Sequence, residues 1–279
     1  MSLKKENIMS QQQEIILNKL DGYSGCEILL CQNNDKNFVK KIAPLQYSDR
    51  LEKQCIKQRD FFSNTIKTPK IYKSGYYHSK IFSYEMEYVP GLEFYNFVQN
   101  KTIKEITFFF EKILDFIYLN NNIDIDCTKQ IFKKIDDIEK KIDKKYYYFL
   151  DFCRDSDWKN VKASYCHGDL TFENILIYDN EIYFIDFLDS FINSKLVDVS
   201  KLLQDIIIFW SYRNRTKELP YIKHIKLLEI IKSRLSVEEY QLSLKLLVIN
   251  LLRIIPYSDK KDEEFLFNNL LYMKNKAII

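Results

Sequence analysis

A chain of 279 residues is long enough to bury a sizeable core, and 46% hydrophobic with 29% charged residues is the balance of a folded globular protein, not a disordered one. A net charge of only +3 argues against a surface built for nucleic acid. No apolar run reaches membrane-span length, since the most apolar stretch, Leu244 to Pro256, is broken by Lys245, Asn250 and Arg253. In chain order, residues 11–20 read as a short helix leading into the turn DGYSG. Cys26 to Gln32 and Phe38 to Ala43 read as strands joined by the polar turn Asn33 to Asn37, and Pro44 ends the second. Tyr47 to Phe62 follows as a helix with Ser48 as its N-cap. Lys70 to Tyr77 and Lys80 to Tyr88 are two further strands, and Pro90-Gly91 marks a domain boundary because neither residue continues a strand comfortably.

Beyond Leu92 the apolar spacing turns helical, over Ile106 to Leu119, Ile131 to Ile142 and Tyr146 to Phe152. The triplet Tyr146-Tyr147-Tyr148 is expected in an interlobe core. Val197 to Arg213, Pro220 to Leu235, Val237 to Leu252 and Asp262 to Lys274 complete the helices, with Ser236 as an N-cap. Six cysteines, at positions 26, 31, 55, 127, 153 and 166, include no CxxC pair. With three histidines to work with, they predict buried reduced thiols in a cytoplasmic protein, not a zinc site. The N-terminal MSLKKENIMSQQQE carries no apolar stretch of the signal-peptide kind.

The stretch that concentrates chemistry is YCHGDLTFENILIYDNEIYFIDFLD, Tyr165 to Asp189. Ile175 to Tyr178 and Ile182 to Ile185 are β-branched and aromatic runs around Asp179-Asn180-Glu181, which predicts a hairpin with a three-residue turn. In that register Ile175 faces Ile185, so Asn174 and Asp186 stand side by side just outside the pair, with Asp169 five residues upstream. One acid, one amide oxygen and a second carboxylate in a small volume suit a hard divalent cation shared with substrate phosphates.

HGDLTFEN followed by IDF resembles the catalytic signature of the aminoglycoside phosphotransferase and choline kinase family, small-molecule relatives of the protein kinases. The resemblance implies an α+β, bilobal, protein-kinase-like fold. Residues 1–89 would form an antiparallel-sheet N-lobe, and residues 90–279 a mainly helical C-lobe with the catalytic loop, metal site and acceptor-binding helices. It implies Asp169 as the base that orients the attacking hydroxyl, Asn174 and Asp186 as ligands of Mg2+, and His167 as a structural member packing the loop on the Asp186 turn. For the nucleotide, ATP or GTP, it implies a phosphate-covering turn at Ser24 and Gly25. A strand lysine, Lys40 ahead of its neighbour Lys41, would pair with Glu52 on the following helix. The hinge at Glu87 and Val89 would hold the adenine through its backbone.

Two features separate this chain from protein kinases and point to a small hydroxyl compound as acceptor. Gly168 stands where regulated protein kinases carry Arg. Helix grammar also resumes at about Val197, with Asp198 matching the helix-start Asp of the small-molecule members, which leaves too little chain after Asp186 to dock a peptide. From Ser190 to Ile279 fifteen Lys/Arg stand against ten Asp/Glu, which disfavours a polycation. The expected function is transfer of the γ-phosphate to a hydroxyl of a sugar, amino alcohol or aminoglycoside-like acceptor. The alternative is a kinase-like nucleotide-binding module without transferase activity.

Overall fold

A computed structural model describes residues 14–20, 25–77, 80–118, 123–215, 218–276 and 278–279. The elements run β1 (Ile15–Leu20), β2 (Glu27–Asn33), β3 (Lys36–Ile42), α1 (Ser48–Arg59), β4 (Ile66–Lys67), β5 (Ile71–Tyr77), β6 (Ile81–Glu87) and β7 (Leu92–Glu93). They continue α2 (Phe94–Asn100), α3 (Ile103–Tyr118), β8 (Ile123–Ile125), α4 (Thr128–Glu139), α5 (Tyr147–Arg154), β9 (Val161–Ala163), β10 (Ile175–Tyr178) and β11 (Glu181–Phe184). The last helices are α6 (Lys195–Ile208), α7 (Tyr221–Arg234), α8 (Val237–Ile254) and α9 (Lys260–Asn275). Two compact units result, Met1–Phe61 with Pro69–Pro90, and Phe62–Thr68 with Gly91–Ile279.

The first unit is a five-stranded antiparallel sheet in the order β1-β2-β3-β6-β5, with α1 on one face. Strand alternation sends Val39 and Ala43 toward Leu51 and Cys55 of α1, where Ile28, Phe82, Tyr84 and Met86 complete the core. The helix expected over residues 11–20 is, over its described part, the edge strand β1, paired antiparallel from Ile15↔Gln32 to Leu20↔Ile28. Its side chains are almost all exposed, so no period of two announced it, and adjacent β-branched Ile15 and Ile16 favour an extended chain. The β2–β3 turn is tighter than the five residues expected. Asn34 and Asp35 both take positive φ (47° and 60°), the left-handed pair that closes a two-residue hairpin. Ser48 is not the N-cap of α1, a place held by Tyr47; its Oγ instead accepts the Phe82 N–H at 3.1 Å.

In the second unit a four-stranded sheet runs β4-β11-β10-β7, with β4 parallel to β11 and the other pairs antiparallel. Gly91 lets β7 approach β10: a Cβ at this position would stand 2.9 Å from the Leu176 Cβ. Around this sheet the helices bury α6 and α8 on nearly every side. Ser236 caps α8 in a reciprocal pair with Glu239. Tyr146 packs within this unit, edge-on to Phe267 of α9, and its hydroxyl donates to Glu263 at 2.8 Å. Of the triplet, Tyr146 alone is buried, in this unit's own core, while Tyr147 is half-buried and Tyr148 exposed. All six cysteines are free thiols, five of them buried. No helix among the described residues is long and apolar enough to cross a membrane.

Candidate active site

The loop before β10 and the turn after β11 are laced together by backbone. Asp179 and Asn180 take φ 50° and 59°, so the hairpin closes with two residues, not three, and Glu181 joins the strand. The register is shifted by one from the expected pairing: Ile175 faces Phe184, and the Ile185 N–H donates to the Asn174 carbonyl at 3.0 Å. Asp186 stands one residue beyond that rung, with φ 62°. Such a conformation is costly for a side chain larger than glycine and persists where the surroundings dictate it. His167 supplies those surroundings. Its carbonyl accepts the Leu188 N–H at 3.0 Å, its Nε2 lies 2.8 Å from the Ile185 carbonyl, and its ring packs on Phe187 with centroids 4.3 Å apart.

Asp169 and Asn174 are brought together directly. The Asn174 Nδ2 donates to the Asp169 carbonyl at 2.7 Å and lies 3.4 Å from Oδ2 of the same residue. The other carboxylate oxygen, Oδ1, is 3.0 Å from the Lys201 ammonium. Burial pushes the Asp169 carboxyl up, but the Lys201 charge outweighs it and holds the group below the ordinary aspartate value, as a carboxylate. The Asp169 side chain keeps 32% of its surface exposed while Lys201 keeps 3%, so the anion is open to a small molecule and the cation is not.

Two further buried acids anchor the loop. Asp198 accepts the N–H groups of His167 and Gly168, and Asp205 accepts those of Phe172 (2.6 Å) and Ser211 (2.7 Å). Burial pushes the Asp205 carboxyl up to about 7, against the pull of those donors. Glu173, between Phe172 and Asn174, lies 3.5 Å from Arg213 and 3.2 Å from Arg215. Sequence reasoning missed Lys201, Asp205 and this arginine pair. For the first two only the structure supplies the signal: α6 is buried on nearly all faces, so polar residues on it require partners.

The first unit carries the nucleotide candidates. Ser24 lies outside the described residues. Gly25 has φ 75°, and a Cβ there would stand 3.0 Å from the Tyr47 ring. Glu87 closes the β6 edge, donating its N–H to the Lys70 carbonyl at 2.9 Å and accepting the Lys70 N–H at 3.2 Å, and Val89 is buried two residues on. The expected Lys40–Glu52 pair does not form. Alternation puts Lys40 on the sheet face away from α1, where its ammonium meets Glu14 at 2.8 Å and Glu85 at 3.7 Å. Glu52 instead accepts the Tyr76 hydroxyl at 2.8 Å. Lys41 is the lysine on the α1 face, 4% exposed beside Val39 and Ala43.

Asn174 and Asp186 suit the magnesium expectation in kind. With its Nδ2 donating to Asp169, the Asn174 amide turns its oxygen away from that carbonyl, and Asp186 adds a carboxylate on the adjoining turn. Among the described residues no cluster of three or more His, Cys, Asp or Glu offers an all-protein metal cage. Two oxygen donors are what magnesium takes when waters and substrate phosphates complete its shell.

A five-stranded antiparallel unit with one helix, and a helical unit carrying the loop, hairpin and acidic turn, make up a protein-kinase-like fold. No family model and no curated protein matches the sequence. The likeness lies in the fold. Aminoglycoside phosphotransferase APH(4)-Ia, as a thermostable mutant in its apo form, superposes with a TM-score of 0.63 at 13% identity, covering 93% of this chain and 94% of that one. A ternary complex of that enzyme with ADP and hygromycin B gives 0.61 at 13% identity over 90% of both chains. An aminoglycoside phosphotransferase-like protein from Ralstonia eutropha JMP134 gives 0.58 at 14% identity, covering 95% of this chain and 93% of that one. A fructosamine-3-kinase-like protein from Haemophilus somnus 129PT gives 0.52 at 14% identity over 92% of both.

Proposed function

We propose that this protein is a kinase of small molecules, moving the γ-phosphate of ATP or GTP to a hydroxyl group. The observation that carries the reading is the Asp169–Asn174 pair, a carboxylate held ionised and open to solvent beside an amide whose nitrogen is tied to its carbonyl. The acceptor oxygen bonds to the γ-phosphorus as the bond to the β,γ-bridging oxygen breaks. The hydroxyl proton passes to Asp169, and the nucleoside diphosphate leaves. Because the transition state is loose, the main task of Asp169 is to orient the hydroxyl. Magnesium on Asn174 and Asp186, when bound, would neutralise charge building on the phosphates. The first unit is assigned to the nucleotide, in place of the whole of residues 1–89 since 62–68 belong to the second unit, with backbone at Gly25, Glu87 and Val89. Residues 90–279 are assigned to transfer and acceptor. Since the family's lysine pairs with an acid of the helix on its own sheet face, we assign that role to Lys41 in place of Lys40.

The acceptor class is a neutral or anionic hydroxyl compound, a sugar or phosphorylated metabolite before an aminoglycoside. Supporting this, residues 190–279 carry fifteen Lys/Arg against ten Asp/Glu. A polycation would favour a surplus of carboxylates on that part of the chain. The free thiols support a reducing compartment such as the cytoplasm. Turnover with ATP, magnesium and a panel of neutral, anionic and cationic hydroxyl compounds tests the reading, with Asp169→Asn as control. Nucleotide binding with no transfer to any of them, or to water, would leave a binding module instead.

A further inference from the structure

Lys201 is a buried lysine whose ammonium lies 3.0 Å from Asp169 Oδ1 and 3.1 Å from Gln204 Oε1. Burying an ammonium costs several kcal/mol after relaxation, and a buried ion pair is often no more stable than apolar side chains of the same volume. Lys201 shares its face of α6 with Asp198, Gln204 and Asp205, yet the carboxylate within ion-pair distance of its ammonium is that of Asp169, on another segment. Packing alone therefore does not account for this lysine. What distinguishes its position is the carboxylate it pairs with, the one assigned to the transfer step.

We propose that Lys201 is a positioning residue for transfer: by engaging Oδ1 of Asp169 it fixes the carboxylate plane and leaves Oδ2 as the oxygen that receives the acceptor hydroxyl. The two residues grip the loop from different elements. Asn174, next to β10, holds the Asp169 backbone at 2.7 Å and touches Oδ2 only at 3.4 Å, while Lys201, from α6, holds Oδ1 at 3.0 Å. Gln204, one turn along α6, holds the ammonium in line as its second acceptor. Without Lys201 the carboxylate would rotate about its last bond, and both the distance and the direction to a bound hydroxyl would spread. Misplacement on the order of 1 Å costs up to about 10²-fold in rate. This inference rests on Asp169 being the group that receives the hydroxyl.

A double-mutant cycle tests it, with ATP and magnesium as donor and, as acceptors, water and the hydroxyl panel. Lys201→Met should lower kcat by roughly 10- to 10²-fold while the nucleotide KM stays within about twofold, since nucleotide contacts are assigned to the first unit. Lys201→Arg, which keeps the charge, should recover part of the loss. In an Asp169→Asn background, Lys201→Met should cost less than about threefold more, because a residue acting through Asp169 has nothing left to position. Should Lys201→Met not fold, Lys201→Gln gives the same readings. Multiplying losses in the double variant, or a raised nucleotide KM at unchanged kcat, would overturn the inference while leaving the kinase reading intact. A wild-type protein silent toward water and every panel member would overturn both.

Discussion

The carboxylate of Asp198 closes on the backbone of His167, accepting its N–H at 2.7 Å, and takes the next N–H, from Gly168, at 2.8 Å. Both donors are main-chain groups of the loop that presents Asp169, so the start of α6 sets the position of that loop. Asp198 is 1% exposed, and truncation to Ala would leave two buried N–H groups without this acceptor. At about 1–3 kcal/mol for each orphaned donor, Asp198→Ala is expected to lose roughly 2–6 kcal/mol. Urea unfolding at neutral pH measures it. A loss under about 0.5 kcal/mol would mean that water or a neighbour takes over both bonds.

Asp169→Asn keeps the shape of the side chain and removes its charge. Acceptor phosphorylation is expected to fall by roughly 10²–10⁴-fold, the range for a lost positioned base. Affinity for ATP with magnesium should stay near wild type. Nucleotide affinity and transfer rate measured on the same preparation separate the outcomes. Joint collapse of the two would recast Asp169 as a structural or metal-binding residue.

Lys40 and Lys41, adjacent in β3, offer a cleaner comparison together than either alone. Lys41→Ala is expected to raise the nucleotide Kd about tenfold or more, the equivalent of one charge-assisted contact. Lys40→Ala should change it by less than about threefold, because its ammonium is engaged by Glu14 and Glu85. Titration of each variant with ATP and magnesium ranks them. The reverse ranking would return the role to Lys40.

His224 is 2% exposed, with Nδ1 3.2 Å from the Ile206 carbonyl and Nε2 3.3 Å from the Tyr212 hydroxyl. Burial pushes its imidazolium pKa down to about 4, from an unfolded value of 6.5. The unfolded chain therefore takes up the proton first. Stability from this group is whole above about pH 6.5 and drains away as pH falls toward 4, by about 3 kcal/mol in all. His224→Phe should flatten that part of the stability–pH curve. Parallel curves for wild type and variant across the window would rule the effect out.

The loop, hairpin and acidic turn were readable because their chemistry is local. HGDLTFEN and IDF are contiguous, and a hairpin must bring its two ends together whatever surrounds it. The exact register was not readable. Asp179 and Asn180 tolerate positive φ, and that choice over a three-residue turn moved Asp186 one step from Asn174. β1 was misread because an exposed edge strand has no buried face to impose alternation. Lys201 was hidden for a different reason. A lysine in a helix reads as a solvated one, and only the burial of α6 on every side, set by α8 and α7 packing against it, shows that it cannot be.

The strand β4 gives the protein an unusual dissection problem. It comes from Phe62–Thr68, between α1 and β5 in sequence, yet it pairs with β11 from Ile182↔Ile66 to Tyr183↔Lys67. The polypeptide thus passes between its two units three times, and neither unit corresponds to one continuous fragment. A truncated chain starting at Gly91 would bare the β11 edge, an open row of backbone donors and acceptors that invites association with other chains. Supplying a synthetic peptide spanning 62–68 in trans should cap that edge and restore a monomer.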